Sequence, residues 1–414
     1  MAKKKIPEVA QKEIDERIFG LFQTRCAQVT EFYTYGKSLN INAKITNIEK
    51  DNFESVRLVI SDGKSFQKMY KMNTEFKDEE LCFYSDIEIN NTIILDDLKS
   101  GDYYVFLRIK LNNNVEPKYY SLENVSKCDD IEYYTVTKEK SNRKVEVNFK
   151  KKTYNEKQYS YMKVSIKENE LPEEIYDIVI DAGHGGTDIG VKSGEDTEEA
   201  ITLEYAKLLK ENLEKNGYKV KLTRDDRNTK TYTDTNMYDI VGRITTACKT
   251  KAKLMISLHI NNGEKNLKGF EIYTPCKTNF DFANDLSRRI KEYSTISFSN
   301  NSSYREYDGV YMKNFTENVI KEFENTAHKK GYEPYPITIN TPYLYTIREV
   351  GGMATNAYVD GRNEAYSANM YYNSNFGIEC YQIELGYIKN DLEIIKNEKE
   401  AYIRAITEAV LNWN

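Results

Sequence analysis

Tyr176-Asp177-Ile178-Val179-Ile180-Asp181-Ala182-Gly183-His184-Gly185-Gly186 is an apolar strand running into a glycine-rich loop, and it sets the reading of everything downstream. EEAITLEYAKLLKENLEKNG (198–217) follows as an amphipathic helix closed by Gly217, a residue suited to the left-handed turn after a helix. YKVKLTR (218–224) is a strand, DIVGRITTACKTKA (239–252) a helix, KLMISLHIN (253–261) a buried strand and GFEIYT (269–274) another. A helix at 280–293, the strand CYQIELGYI (380–388) and a helix at 398–412 complete the chain. Strands alternating with helices predict an α/β domain over 175–414, with a mixed, mostly parallel sheet and helices on both faces. Residues 294–375 break the alternation with a Tyr- and Asn-rich stretch, expected to be an insertion over the active face.

Working toward the N-terminus, the period changes. Residues 8–30 read as a helix, with Val9, Ile14, Ile18, Leu21 and Phe22 on its apolar side, within an N-terminal segment 1–31. From 32 to 150 short alternating runs (SLNINAKI, SVRLVIS, GDYYVFLRIKL, KVEVNF) are separated by turn signals such as Ser61-Asp62-Gly63. Such spacing predicts an all-β immunoglobulin-like sandwich. Lacking histidine and any clustered acid–base set, it is read as a binding or spacing module. Residues 151–174 are expected to be a linker. The surplus of positive charge from Lys138 to Lys157 reads first as a solvated strand edge, with an anionic-polymer patch as the alternative.

Composition narrows the partners. Over 414 residues, 59 Lys plus Arg stand against 65 Asp plus Glu, a net charge of −6 that argues against a nucleic-acid partner. The apolar runs, Leu254 to Leu258 among them, are too short to span a bilayer. Lys3 to Lys5 resemble a basic leader, but Ile6 to Arg17 supply no apolar stretch behind them, so no export segment is legible. Six cysteines without a CxxC pair exclude a thiolate metal site and a disulfide scaffold. With three histidines in the chain, the place of each is informative.

In an open α/β sheet, ligands gather at the carboxyl ends of the strands. Three strand ends here carry potential metal ligands: His184 after Ala182-Gly183, His259 after Leu258, and Glu384 after Ile383. Two imidazoles, a carboxylate and a water make an open tetrahedral zinc site. The competing reading is a pair of hydrogen-bonded core histidines.

DAGHGGTDIG, an acidic pair before LEYAKLLKENLEKNGYKVKLTR, then GRITTA, SLHINN, GFEIYT and IELGYIKN resemble, in that order, the zinc-dependent N-acetylmuramoyl-L-alanine amidases of bacterial cell-wall metabolism. The resemblance covers roughly 175–290 and 376–414. It implies one Zn2+ per catalytic domain, held by His184, His259 and a Glu whose distance ahead of Leu203 and Ala206 places it at Glu198. Helical geometry alone slightly prefers Glu199, which projects nearer the Leu203, Ala206 and Leu213 stripe. Glu384 matches the catalytic glutamate. The implied substrate is peptidoglycan, cut between N-acetylmuramic acid and L-alanine. That places the protein at the cell wall or outside the cell, by export or by phage-type release.

Other matched positions are expected to support the site: Asp181 as a hydrogen-bond acceptor for a ligand histidine, Arg224 and Arg243 as structural ion pairs, and Asn261 facing the site without catalysing. Glu195 and Glu204 read as solvated helix-end charges, and His328 as a surface histidine of the insertion. Arg348 or Arg362 is expected to contact a substrate carboxylate. No function attaches to Cys248. The alternatives are a zinc peptidase acting on another wall-peptide amide, and a silent or autoinhibited wall-binding protein. The sequence does not give the oligomeric state.

Overall fold

The computed structural model describes residues 8–85, 93–112, 116–126, 130–136, 142–169, 172–227, 242–275, 280–329, 331, 337–351 and 376–413. The chain divides into two compact units, Met1–Glu170 and Leu171–Asn414. Among the described residues no helix is long and apolar enough to cross a membrane.

In the first unit the strands form two sheets. One runs in the order Leu122–Asn124, Ala27–Tyr35, Ser38–Thr46, Glu80–Tyr84, Asn73–Lys77, and the other Ile131–Val136, Asn142–Tyr154, Lys157–Glu168, Gly101–Leu111, Phe53–Ser61, Phe66–Lys71. The N-terminal helix spans Glu8–Phe19, shorter than the apolar spacing suggested, and Ala27 already opens a strand. Its end packs Ile18 and Phe19, with Phe22, against Val59, Phe106 and Tyr159. Residues 157–168 are a strand rather than the expected linker. Met162, Val164 and Ile166 alternate into the core, a half-buried strand pattern that Lys157, Lys163 and Lys167 disguise.

The second unit is built on one sheet, whose elements are numbered here within this unit. Its strands are β1 (Ile178–Ala182), β2 (Val220–Leu222), β3 (Leu254–Asn261), β4 (Glu271–Tyr273), β5 (Arg305–Tyr307), β6 (Val310–Tyr311) and β7 (Glu379–Tyr387), ordered β2-β1-β3-β7-β4-β6-β5. β2, β1, β3 and β7 are mutually parallel, whereas β4 runs antiparallel to β7. The central strands are buried on both sides, which explains their near-continuous apolar sequence.

Helices cover both faces. α1 (Glu198–Lys215), α3 (Asp281–Tyr293) and α7 (Lys399–Asn412) pack Leu209, Leu286 and Ile406 with Ile180, Ile256 and Ile383. On the opposite face α2 (Arg243–Lys249) and α5 (Tyr345–Val350) pack Ile244, Ala247, Ile347 and Val350 with Val179, Met255 and Cys380. In the chain α4 (Glu317–Lys329) precedes α5, and α6 (Leu392–Asn397) follows β7. The described part of 294–375 therefore supplies the β5–β6 edge of the sheet and, in α5, part of the cover on the second face. Residues 352–375, with Arg362, lie outside the described residues.

A buried polar knot joins the strand ends. Asp181, fully buried, accepts hydrogen bonds from Arg243 Nη1 (2.7 Å), Thr223 Oγ1 (2.6 Å) and Ser257 Oγ (2.7 Å). Burial alone would raise its pKa, but the Arg243 charge, His259 and these hydroxyls outweigh burial and hold the carboxyl below its ordinary value. Arg243→Met leaves that carboxylate without its cation. Loss of one partner of a buried pair costs about 3–5 kcal/mol, so the urea midpoint falls sharply; an unchanged midpoint would show that Asp181 does not need Arg243.

Candidate metal centre

His184 follows β1 across Gly183, Glu198 opens α1, and His259 lies near the end of β3. The structure brings these three together. His184 Nε2 lies 3.1 Å from Glu198 Oε2, and His259 Nδ1 lies 3.2 Å from Glu198 Oε1. One ligand atom from each lies within 4.8 Å of the others. The carboxylate is 2% exposed, and each oxygen also accepts a backbone N–H: Oε1 from Ile260 (2.8 Å) and Oε2 from Val191 (3.0 Å).

Two glycines make this approach physically feasible. A Cβ at Gly183 would stand 2.5 Å from His259 Cε1 and 2.7 Å from the Leu258 carbonyl oxygen. At Gly190, whose φ is +64°, it would stand 2.5 Å from Glu198 Oε2. His184 itself takes the left-handed conformation, with φ 60°, unusual for a residue with a side chain. Its carbonyl accepts Arg243 Nη2 at 2.8 Å, which holds the turn.

The histidine partner is Asp188, a residue that the sequence reading missed. Its Oδ2 lies 2.7 Å from His184 Nδ1, which leaves Nε2 as the atom facing Glu198. A carboxylate on the far nitrogen of a ligand histidine fixes its tautomer and orientation. The available signal was the TDIG turn, where Asp188 also accepts the Gly190 N–H at 3.0 Å. Asp181, expected in that role, is instead committed to Arg243, Thr223 and Ser257.

Glu199 points elsewhere. It receives the Arg227 guanidinium, with Nε 3.0 Å from Oε2, and the Thr197 hydroxyl at 3.0 Å. The two neighbours project in different directions at a helix start anchored by the Glu198 N–H bond to Val191 O (2.8 Å). Arg224 forms no ion pair among the described residues. It donates to the backbone carbonyls of Ala182 (2.9 Å), Gly183 (2.8 Å) and Glu199 (2.8 Å), tying the loop to the start of α1. Glu195, Glu204 and His328 are exposed.

Glu384 sits on β7 in register with His259 on one side and Glu271 on the other. Burial pushes its carboxyl up to about 7; His259 and the Gln382 hydrogen bond oppose the rise, while the charges of Glu198 and Glu271 add to it. Glu271, fully buried, accepts Asn261 Nδ2 (2.8 Å), Tyr273 OH (2.8 Å), Ser299 Oγ (2.6 Å) and Tyr387 OH (2.6 Å). Asn261 is thereby oriented by Glu271. A lone carboxylate within the apolar run GFEIYT was the sequence signal for this cage. Arg348 is engaged by Glu349 Oε1 (3.0 Å) and the Tyr343 carbonyl (2.8 Å), so its guanidinium is not presented to a ligand as expected.

The donor set suits a divalent cation. Two imidazole nitrogens and a carboxylate oxygen match zinc, and Gly183 and Gly190 show that the space is kept clear of side chains. Burial alone would lower the His184 pKa, but Glu198 and Asp188 outweigh it and push the imidazole up to about 9. The same histidines hold Glu198 well below the carboxylate range, against the effect of burial.

Comparison with known proteins bears on the family of the second unit. The family model described as N-acetylmuramoyl-L-alanine amidase matches residues 178–412. The "Endolysin" of Bacillus phage SPP1 is 38% identical over 100 residues, covering 24% of this chain and 34% of the phage protein. The "Germination-specific N-acetylmuramoyl-L-alanine amidase" of Bacillus subtilis (strain 168) is 33% identical over 90 residues, covering 20% of this chain and 38% of that protein. The chain thus spans little more than a third of the length of these curated relatives. The solved catalytic domain of CwlV, an N-acetylmuramoyl-L-alanine amidase from Bacillus (Paenibacillus) polymyxa var. colistinus, aligns at a TM-score of 0.37 and 18% identity, over 57% of this chain and 97% of that one.

In the metal-free protein His184 keeps its proton below about pH 9, so an entering cation must displace it. Apparent affinity for Zn2+ therefore rises with pH, roughly tenfold per unit between pH 6 and 8, with about one proton released. Calorimetry in two buffers of different ionisation enthalpy reads that proton; an affinity indifferent to pH would contradict it.

Proposed function

The chain belongs to the N-acetylmuramoyl-L-alanine amidase family through residues 178–412, and from that membership and the site's geometry we propose that it hydrolyses the amide joining the lactyl group of N-acetylmuramic acid to L-alanine in peptidoglycan. His184, His259 and Glu198 would hold Zn2+, and Glu384 is the catalytic residue. The observation that carries this reading is the placement of Glu384 beside His259, on the strand next to a ligand set that matches zinc.

Zinc, when bound, supplies Lewis acidity and a lowered pKa for water. This chain's residues do the rest. Asp188 holds the His184 ring so that Nε2 faces inward. Glu384, buried, takes the proton of the attacking water as its O–H bond breaks. It returns that proton to the L-alanine nitrogen as the C–N bond breaks, because an unprotonated amide nitrogen is a poor leaving group. A carboxyl that burial has brought near neutrality suits both halves of that cycle.

The substrate fixes the place of action at the wall, outside the cytoplasmic membrane. The first unit, for which an immunoglobulin-like sandwich is proposed, serves as the module that positions the enzyme on the wall or on a protein partner.

Purified peptidoglycan, digested and end-labelled, tests this. Wild type frees new L-alanine amino termini, while Glu384→Gln retains zinc and loses about 10²–10⁴-fold in rate, the usual contribution of a general acid–base. New termini at any other residue would replace the amidase reading with that of a wall peptidase.

A further inference from the structure

Gln382 is chemically out of place. It lies two residues before Glu384 on β7, between Ser257 of β3 and Tyr273 of β4, and it is 9% exposed. An aliphatic side chain would occupy that position of a central strand without the cost of burying an amide. Both ends of the amide are engaged. Nε2 donates to Glu384 Oε1 at 2.9 Å, and Oε1 accepts the hydroxyl of Thr346 at 3.2 Å. Thr346 is fully buried in α5, within the long segment between β6 and β7. The two-residue period of a strand puts Gln382 and Glu384 on one face, the face that α5 covers.

Resting on the amidase reading, we propose that Gln382, oriented by Thr346, is a positioning residue that occupies Glu384 Oε1 and leaves Oε2 as the oxygen that carries the proton through the reaction. With the Thr346 hydroxyl directed at its oxygen, the amide must turn its NH2 toward Glu384. A carboxylate oxygen that already accepts an N–H is the poorer base, because a proton placed there would face a second donor. Oε2 therefore gains the proton as the water O–H breaks and the new C–O bond forms. It loses that proton to nitrogen as the C–N bond breaks, and Glu384 returns to its starting state. Thr346 in α5 thus acts on turnover through the amide of Gln382.

Gln382→Met keeps the length of the side chain and removes its donor; Thr346→Val keeps the shape and removes the hydroxyl. With full zinc and unchanged KM, Gln382→Met lowers kcat about tenfold and Thr346→Val about threefold, losses confined to kcat because the contact serves only the chemical step. The double variant falls no further than Gln382→Met, since Thr346 acts only through the amide. If Gln382→Met melts early, Thr346→Val carries the same kcat test with the strand intact. Independently of activity, the side-chain amide 1H–15N signal of Gln382 in the metal-free protein shifts in Glu384→Gln, and its proton exchange quickens in Thr346→Val.

A wild-type kcat in zinc-loaded Gln382→Met, multiplicative losses in the double variant, or an amide signal indifferent to Glu384→Gln would each overturn the proposal. Cleavage of a different wall amide, slowed equally by Gln382→Met, would overturn the amidase reading alone. A wild type that cleaves no wall amide would overturn both.

Discussion

One buried carboxylate organises the second unit. Glu198 receives His184 and the Val191 N–H on one oxygen, and His259 and the Ile260 N–H on the other. Those four partners come from the loop after β1 and from the end of β3, while Glu198 itself begins α1. Three segments distant in sequence therefore meet at two oxygens. A carboxylate so far from water is stable only with compensating charge and hydrogen bonds. The histidines supply both in the metal-free protein, and a cation would supply the charge when bound.

The surroundings are arranged so that this meeting point does not collapse. Arg224 and Arg243, both buried, donate to the carbonyls of Ala182, Gly183, His184 and Glu199. Three of those carbonyls belong to a residue next to a ligand or to the ligand itself, and the fourth, that of Ala182, lies two residues before His184. The Asp181 carboxylate balances Arg243 and reaches into β2 and β3 through Thr223 and Ser257. A strained His184 and two glycines without room for a Cβ are then held in place by hydrogen bonds instead of by apolar packing, a common property of sites under geometric demand.

The parallel core was legible because its strands are continuous apolar runs that end in polar residues: IVIDA stops at Gly183-His184 and LMISL at His259. The mutual placement of His184, Glu198 and His259 was legible for the same reason, with help from the family's motif order. Local periodicity could not separate Glu198 from Glu199, because that choice depends on a long-range contact with Ile260 and on the Arg227 ion pair that draws Glu199 away. Asp188 was overlooked because a loop carboxylate has no periodic signature. The strand at 157–168 was hidden by its lysines, and α5 by its brevity. For Glu198 and Glu199 the missing information lay in a tertiary partner and not in the local pattern.

Two carboxylates of the same site have opposite environments. Glu198 faces two imidazoles and stays ionised, whereas burial, with the charges of Glu198 and Glu271 adding to it, pushes Glu384 toward neutrality. That contrast supports the proposed roles, one residue holding a cation and the other moving a proton, and both roles presuppose that a cation sits among His184, Glu198 and His259. X-ray absorption at the zinc edge on the purified, zinc-loaded protein measures this directly. One zinc per chain with imidazole scattering from two histidines, and nitrogen and oxygen neighbours at about 2.0–2.2 Å, all lost in Glu198→Ala, is the predicted result. Zinc absent, or bound without imidazole neighbours, would contradict the account.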